Sequence, residues 1–222
     1  MNNTNQACRV VVLISGSGSN LQALIDGQHS GGLPITIAAV ISNKPNVLGL
    51  ERAQQANIDH ATINHRDYGD RESFDHALAT VIDGYQPDLV VLAGFMRILS
   101  AGFVRRYQGR MLNIHPSLLP KYTGLHTHQR ALEAGDDCHG VTVHFVTEEL
   151  DGGPAVIQAI VPILEGDTEA ELAQRVQGQE HHIYPLAVKW FATQRLSLQD
   201  NNVILDSQIL PTQGYQIDSR TT

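Results

Sequence analysis

Cysteine is nearly absent: only Cys8 and Cys138 occur among 222 residues. Two thiols cannot build a disulfide framework and lack metal-ligand spacing, so a reducing, cytoplasmic setting is the simpler expectation. Excess positive charge is absent too, with 15 Lys and Arg against 23 Asp and Glu and a formal net charge of -8. That argues against broad nucleic-acid binding, which needs a basic face, but leaves room for a small anion site made of backbone amides. No apolar run approaches the roughly 18 residues of a membrane helix. The segment Met1–Arg9 is polar and has no apolar signal-peptide core, so no membrane association is expected. Internal repeats and low-complexity stretches are missing, which excludes repeat arrays.

What remains is an ordinary globular composition, 42% hydrophobic and 17% charged, with enough length for one well-cored domain. Short apolar runs alternate with helical patterns, which predicts an α/β fold with an open, mostly parallel sheet flanked by helices. Strands are expected at Val10–Ile14, Ile35–Ser42, Asp59–Ile63 (an edge), Leu89–Leu92 and Met111–His115. Helices are expected at Asn20–Asp26, Gly49–Ala56, Arg71–Ile82, from a Ser100 cap to Tyr107, and at Thr127–Ala134. In the C-terminal half Val141–Val146 and Ala155–Val161 flank a turn at Asp151–Pro154, which predicts an antiparallel extension of the sheet. Thr168 caps a long helix to about Thr193, with Pro185 as a kink or break. Leu196–Leu205 and Gln208–Leu210 suggest a terminal hairpin, and the chain beyond Tyr215 reads as a frayed tail.

Three places carry chemistry. Asn113 and His115 stand two apart on one strand, so an amide and an imidazole project from the same face. Pro116 stops that strand, and strand carboxyl ends are where open α/β sheets hold ligands. A His capping a strand end is the plain alternative. The Gly16-Ser17-Gly18-Ser19-Asn20 turn before a helix suits a phosphate, through backbone amides and the helix N-terminus. It falls short of a dinucleotide fingerprint, because Leu21 replaces the third glycine and no acid follows the second strand, where Ile41-Ser42-Asn43 lies. An empty tight turn stays open. Asp151, in Glu-Leu-Asp-Gly-Gly-Pro, either bonds its own turn or faces His115 and favours the imidazolium.

The eleven histidines do not form a recognisable metal set. His126-Thr-His128 and Glu180-His181-His182 lack the His-Glu-x-x-His spacing, so no metal is expected. Ser117 lacks a nucleophile elbow. Gly94-Phe95-Met96-Arg97-Ile98-Leu99 leaves the fourth strand with glycine and apolar groups, suited to a flat aromatic ligand or to plain core packing.

Four stretches together carry a resemblance: Leu-Ile-Ser-Gly-Ser-Gly-Ser-Asn-Leu-Gln at 13–22, Asp-Leu-Val-Val-Leu-Ala-Gly-Phe-Met-Arg-Ile-Leu at 88–99, Leu-Asn-Ile-His-Pro-Ser-Leu-Leu-Pro-Lys-Tyr at 112–122, and His-Phe-Val-Thr-Glu-Glu-Leu-Asp-Gly-Gly-Pro at 144–154. With them the chain resembles the phosphoribosylglycinamide formyltransferases, the folate-dependent enzymes of purine synthesis, from about Val10 to Tyr215. The resemblance implies a Rossmann-like formyltransferase fold and transfer of a formyl group from 10-formyltetrahydrofolate, a co-substrate, to the amine of glycinamide ribonucleotide. It implies no tightly bound cofactor.

By matching position, Asn113, His115 and Asp151 would be catalytic. Gly18, Ser19 and Asn20 would hold the ribonucleotide phosphate, with Gln177, Gly178, Gln179 and Glu180 at its ribose end. Arg71, Met96, Arg97, Ile98, Leu99 and Asn113 would line the folate pocket, closed by Thr147, Glu148, Glu149, Leu150 and Asp151. Residues 9–215 would form a single formyltransferase domain, its N-terminal half binding the phosphate and its C-terminal half contributing to the folate pocket. Residues 1–8 and 216–222 would be flexible ends, and the protein a monomer or weak homodimer.

Two departures stand out: Thr123 replaces a proline often seen in relatives, and Met1–Cys8 extend the usual start. Methionyl-tRNA formyltransferases carry a further C-terminal domain and formyltetrahydrofolate deformylases an N-terminal one, neither of which is expected here. A phosphate-ligand module without chemistry is the alternative of a different class.

Overall fold

In a computed structural model that describes residues 7–220, the apolar run at Val10–Ile14 lies inside strand β1 (Cys8–Ile14) at the middle of an eight-stranded sheet. Val10 to Ile14 are all fully buried, because both faces of a central parallel strand are covered. β1 pairs in parallel with β2 (Ile35–Ser42) on one side and with β4 (Leu89–Leu92) on the other. Beyond β2 lies the short edge strand β3 (His60–Thr62), and beyond β4 lies β5 (Met111–His115). Then the direction reverses. β6 (Cys138–Phe145) runs antiparallel to β5, and β7 (Ala155–Pro162) antiparallel to β6.

Alternate residues of one strand serve opposite faces. Val10, Val12 and Ile14 pack with Leu21, Leu24 and Ile25 of α1 (Ser19–His29) and with Val176, Ile183 and Tyr184 of α6 (Glu169–Ala192). Val11 and Leu13 pack instead with Phe74, Leu78 and Ile82 of α3 (Arg71–Gly84) and Phe103 of α4 (Ala101–Arg106). The remaining helices are α2 (Leu48–Gln55), beside the β1–α1 turn, and α5 (Thr127–Ala134). Caps mark several starts: Asp70 accepts from Ser73 N, Ser100 from Phe103 N, and Thr168 with Glu171 forms a capping box.

The long helix from the Thr168 cap runs as expected, α6 continuing without a break through Pro185 to Ala192, packed against β6 and β7. The chain departs from its sequence-based reading in two places. Asp151–Pro154 is only part of a longer connection, since β6 ends at Phe145 and β7 begins at Ala155. Finally, Tyr215–Asp218 is no frayed tail. It forms β11, parallel to β7 at the sheet edge, while β8 (Leu196–Gln199), β9 (Asn202–Leu205) and β10 (Gln208–Ile209) make a separate antiparallel sheet. Gln216 donates from Nε2 to Gln158 Oε1 at 3.1 Å, and Tyr215 stacks edge-on against Trp190 at 5.6 Å. At the other end, Cys8 already belongs to β1. The ends expected to be flexible lie partly, at 1–6 and 221–222, outside the described residues.

From β1 the chain winds outward to β3 and then returns to the other side of β1 as β4. The carboxyl ends of β1 and β4 therefore flank a topological switch point, where a crevice opens because the connections leave in opposite directions. Ser15 fastens that point: its hydroxyl donates to Asn43 Oδ1 at 2.5 Å and accepts from Met96 N at 2.7 Å.

Candidate active site

The crevice is bordered by β5. Leu112 and Ile114 point into the α1–α6 layer, so Asn113 and His115 project from the other face, as the two-residue spacing requires. β5 is the last strand of the parallel set, and its antiparallel neighbour β6 brings His144 directly opposite Asn113.

His115 is held at both ring nitrogens. Nε2 faces the Tyr122 carbonyl oxygen at 2.8 Å, and Nδ1 faces Asp151 Oδ2 at 3.5 Å, with both side chains only 8% exposed. A carbonyl can only accept, so Nε2 carries a proton. Asp151 Oδ2 also accepts from Gly124 N at 2.8 Å. The aspartate thus spends its carboxylate on the opposite loop rather than on its own turn. Its turn is closed instead by Gly152 N donating to Glu149 O at 3.1 Å. Gly153 lets this turn sit against β6, since a Cβ there would collide with the Phe145 carbonyl.

Asn113 is oriented from behind. Its Nδ2 lies 3.1 Å from His144 Nε2, and His144 Nδ1 lies 3.0 Å from the Phe145 carbonyl. Complete burial pushes the His144 imidazole down to about 4, so the ring is neutral. A neutral ring donating from Nδ1 must accept at Nε2, which fixes the Asn113 amide with its nitrogen toward His144. The amide nitrogen has a second proton to offer.

The glycine turn lies across the crevice. Gly18 adopts φ 71 as the cap of α1, and its Cα comes against Gly49 of α2. Ser19 and Asn20 open the helix, with Gln22 N already donating to Gly18 O. α6 approaches this same end. Asn20 Nδ2 donates to Glu180 Oε2 at 2.7 Å, and Gln177 Nε2 to Ser19 Oγ at 3.3 Å. Burial holds the Glu180 carboxyl above its ordinary range, partly offset by Asn20. Gln177 and Glu180 stand three apart and share a helix face, whereas Gly178 and Gln179 make no hydrogen bond to the turn among the described residues. Tyr184, one turn beyond Glu180, is buried with its hydroxyl 2.8 Å from Leu92 O and 3.0 Å from Leu112 O, which pins α6 to the β4 and β5 ends.

Three hollows run together here. One of about 300 Å³ is lined by Ser15 to Asn20 and Glu180. It shares Gly94, Met96, Ile114 and Pro116 with a central cleft of about 650 Å³ that contains Asn113, His115 and Asp151. A third, of about 110 Å³, is lined by Arg97, Ile98, Leu99 and Thr147 to Asp151, and shares Asn113 and Asp151 with the cleft. Met96, Ile98 and Leu150 stay more than half exposed on the rim of the central cleft, an apolar surface that no other described residue covers. Arg97 lies over the Phe74 ring at 5.8 Å with its Nε buried and unpartnered. Arg71 is the exception among the expected folate residues. It sits exposed at the first turn of α3 and lines none of the three hollows. Among the described residues no group of three or more His, Cys, Asp and Glu could hold a metal ion.

Sequence reasoning passed over His144 and Tyr122. His144 shows in the sequence only as a polar residue in an apolar run, and its partner is set by cross-strand register. Tyr122 acts through its backbone carbonyl, which leaves no mark on side-chain pattern. The loop around Thr123 places Tyr122, Gly124 and His126 at positive φ, and it is this path that delivers Tyr122 O and Gly124 N to the site.

Comparisons with known proteins agree with this geometry. Residues 8–188 match the family model described as formyl transferase. The chain is 57% identical to the phosphoribosylglycinamide formyltransferase of Escherichia coli K12 over 94% of its length and 99% of that protein. It is 51% identical to the enzyme of the same name from Haemophilus influenzae, over 93% of this chain and 98% of that one. The solved phosphoribosylglycinamide formyltransferase of Coxiella burnetii superposes with a TM-score of 0.91 at 52% identity, covering 95% of this chain and 99% of the other. The chain therefore belongs to the formyl transferase family, among its phosphoribosylglycinamide formyltransferases.

Proposed function

We propose that this protein transfers the formyl group of 10-formyltetrahydrofolate to the amine of glycinamide ribonucleotide, giving N-formylglycinamide ribonucleotide and tetrahydrofolate in purine biosynthesis. The observation that carries the assignment of parts is that Asn113, His115 and Asp151 border the cleft between the glycine-turn hollow and the Thr147–Asp151 hollow. A phosphate at Gly18 to Asn20 and a pterin beneath Thr147 to Asp151 would then meet at those three side chains. Glu180, and the buried, unpartnered Asn20 Oδ1, offer acceptors to ribose hydroxyls beside the turn. Met96, Arg97, Ile98 and Leu99 supply the apolar wall for the folate.

The neutral substrate amine attacks the formyl carbon, a C–N bond forms, and the carbonyl oxygen becomes an oxyanion. The free Asn113 amide proton and the His115 imidazolium stabilise it; one such donor is worth about 3 kcal/mol. Asp151 keeps His115 charged and assists the proton from the attacking amine toward the folate nitrogen, whose bond to the formyl carbon then breaks. Folate acts as a co-substrate and leaves. We assign residues 9–215 to one formyltransferase domain, working in the cytoplasm as a monomer or weak homodimer.

The test is a formyl-transfer assay with both substrates, following the folate product by absorbance, with a control lacking the ribonucleotide. Turnover is expected only with both present and is expected to vanish in His115→Ala. Equal folate consumption without the ribonucleotide would make the protein a hydrolase.

A further inference from the structure

The His115 ring is oriented by a set of side chains that never reach the cleft. Its Nε2 partner, the Tyr122 carbonyl, belongs to a residue at φ 56. A residue with a Cβ resists that conformation by about 1–2 kcal/mol, so the surroundings must hold it. One carboxylate takes the main part, beside Ser117, whose hydroxyl donates to Lys121 O at 2.6 Å. Asp136 Oδ2 accepts from the Tyr122 hydroxyl at 2.7 Å, and both Asp136 oxygens accept from Lys121 Nζ at 2.8 Å. Lys121 Nζ and the Arg130 guanidinium lie 5.4 and 5.1 Å from the Tyr122 ring centre, and Arg130 also donates to Thr123 O at 2.7 Å. Asp136 is itself placed by the end of α5. The chain leaves that helix through Gly135 at φ 67, and Asp136 N donates to Ala131 O. The hydrogen bond from Lys121 holds the Asp136 carboxyl below its ordinary range, so the clamp stays charged near neutral pH.

We propose that Asp136 is a positioning residue for formyl transfer: through Lys121 and the Tyr122 hydroxyl it fixes the Tyr122 carbonyl against His115 Nε2. Asp136 lines none of the three hollows and touches no substrate position. Its effect is to present His115 with a fixed acceptor on the side opposite Asp151, so that the ring is aimed into the cleft. The assignment rests on the role given to His115 above. The other titratable groups acting on His115 are Asp151 at 3.5 Å and, at longer range, His128, His139, His144 and Glu180. Of these only His139 touches the clamp, its ring meeting the Tyr122 ring edge-on at 6.0 Å beside Asp136, and Tyr122→Phe keeps that ring contact.

The experiment compares wild type with Asp136→Asn, Tyr122→Phe and Asp206→Asn. The last breaks a remote ion pair with Arg195 in the small C-terminal sheet and serves as control. The ring nitrogens of His115 are observed by ¹⁵N NMR in the ligand-free full chain, assigned with His115→Ala, and kcat and KM are measured with both substrates. Loss of the clamp is expected to move the His115 Nε2 resonance, because its acceptor is no longer fixed, and to cut kcat about tenfold, with KM for the ribonucleotide within about twofold, as for a misplaced catalytic group. Asp206→Asn is expected to change neither. A folded Asp136→Asn protein with wild-type kcat and a wild-type His115 Nε2 resonance overturns the proposal. Should Asp136→Asn fail to fold, Tyr122→Phe, which removes one hydroxyl, decides by the same two readouts. Failure of the functional reading looks different: wild type itself would transfer no formyl group, while the His115 Nε2 resonance would still report on the clamp.

Discussion

At Asp151 the backbone and the side chain have separate tasks. The residue sits at φ 53 in a turn closed by Glu149 and Gly152, yet its carboxylate crosses to Gly124 N and His115 Nδ1. Replacing it with asparagine keeps shape and some hydrogen bonding but removes the charge that supports an imidazolium. Asp151→Asn is expected to lower turnover by about 10²–10⁴-fold, the usual span of acid–base help, while ribonucleotide affinity measured by calorimetry stays close to wild type. Unchanged turnover would remove Asp151 from the mechanism. The sequence already offered Asp151 two partners, its own turn or His115. Only the path of the 122–126 loop chose between them.

At the scale of an element, β6 carries an unusual load for a buried strand. His139 and His144 are 1% and 2% exposed, and burial pushes both imidazoles down to about 4 from an ordinary 6.5. In the unfolded chain both take up a proton near 6.5, whereas in the folded chain they resist until about 4. The unfolded state therefore binds more protons between those values, and stability falls as pH drops through that window while it is fully present above it. Unfolding by urea at pH 7.5 and pH 5 is expected to differ by at least about 1–2 kcal/mol in favour of the higher pH. A flat profile would mean that these rings are not neutral in the fold. The apolar–polar alternation at Val141–Val146 announced a strand, but not that His144 would lie across from Asn113, because register is a property of the pair of strands.

For the whole molecule, the closing strand is the clearest divergence between pattern and structure. Tyr215–Asp218 is short and lies after a loop, so it carries no periodicity of its own, and it gains its place only by pairing with β7 and packing Tyr215 on Trp190. Truncation after Gly214 is therefore expected to lower the melting temperature, by about 2–4 °C for each kcal/mol lost in a chain of this size. Formyl transfer should be retained, because β11 lies at the sheet edge, four strands from β4 and the switch point. A truncated protein with an unchanged melting temperature would return this segment to the status of a tail.

The sequence by itself determined the alternation of strands and helices, the caps at Ser100 and Thr168, the glycine turn before α1 and the shared face of Asn113 and His115. All of these depend on residues within about one turn or two strand positions of each other, where covalent geometry and burial leave few choices. Tertiary structure decided the rest. It set the meeting of Asn20 with Glu180 across 160 residues, the pairing of Asn113 with His144, the Tyr122 carbonyl on His115, the removal of Arg71 from the cleft, and the docking of β11. Each joins groups whose separation along the chain carries no information about their separation in space until the sheet order and the loop path are formed.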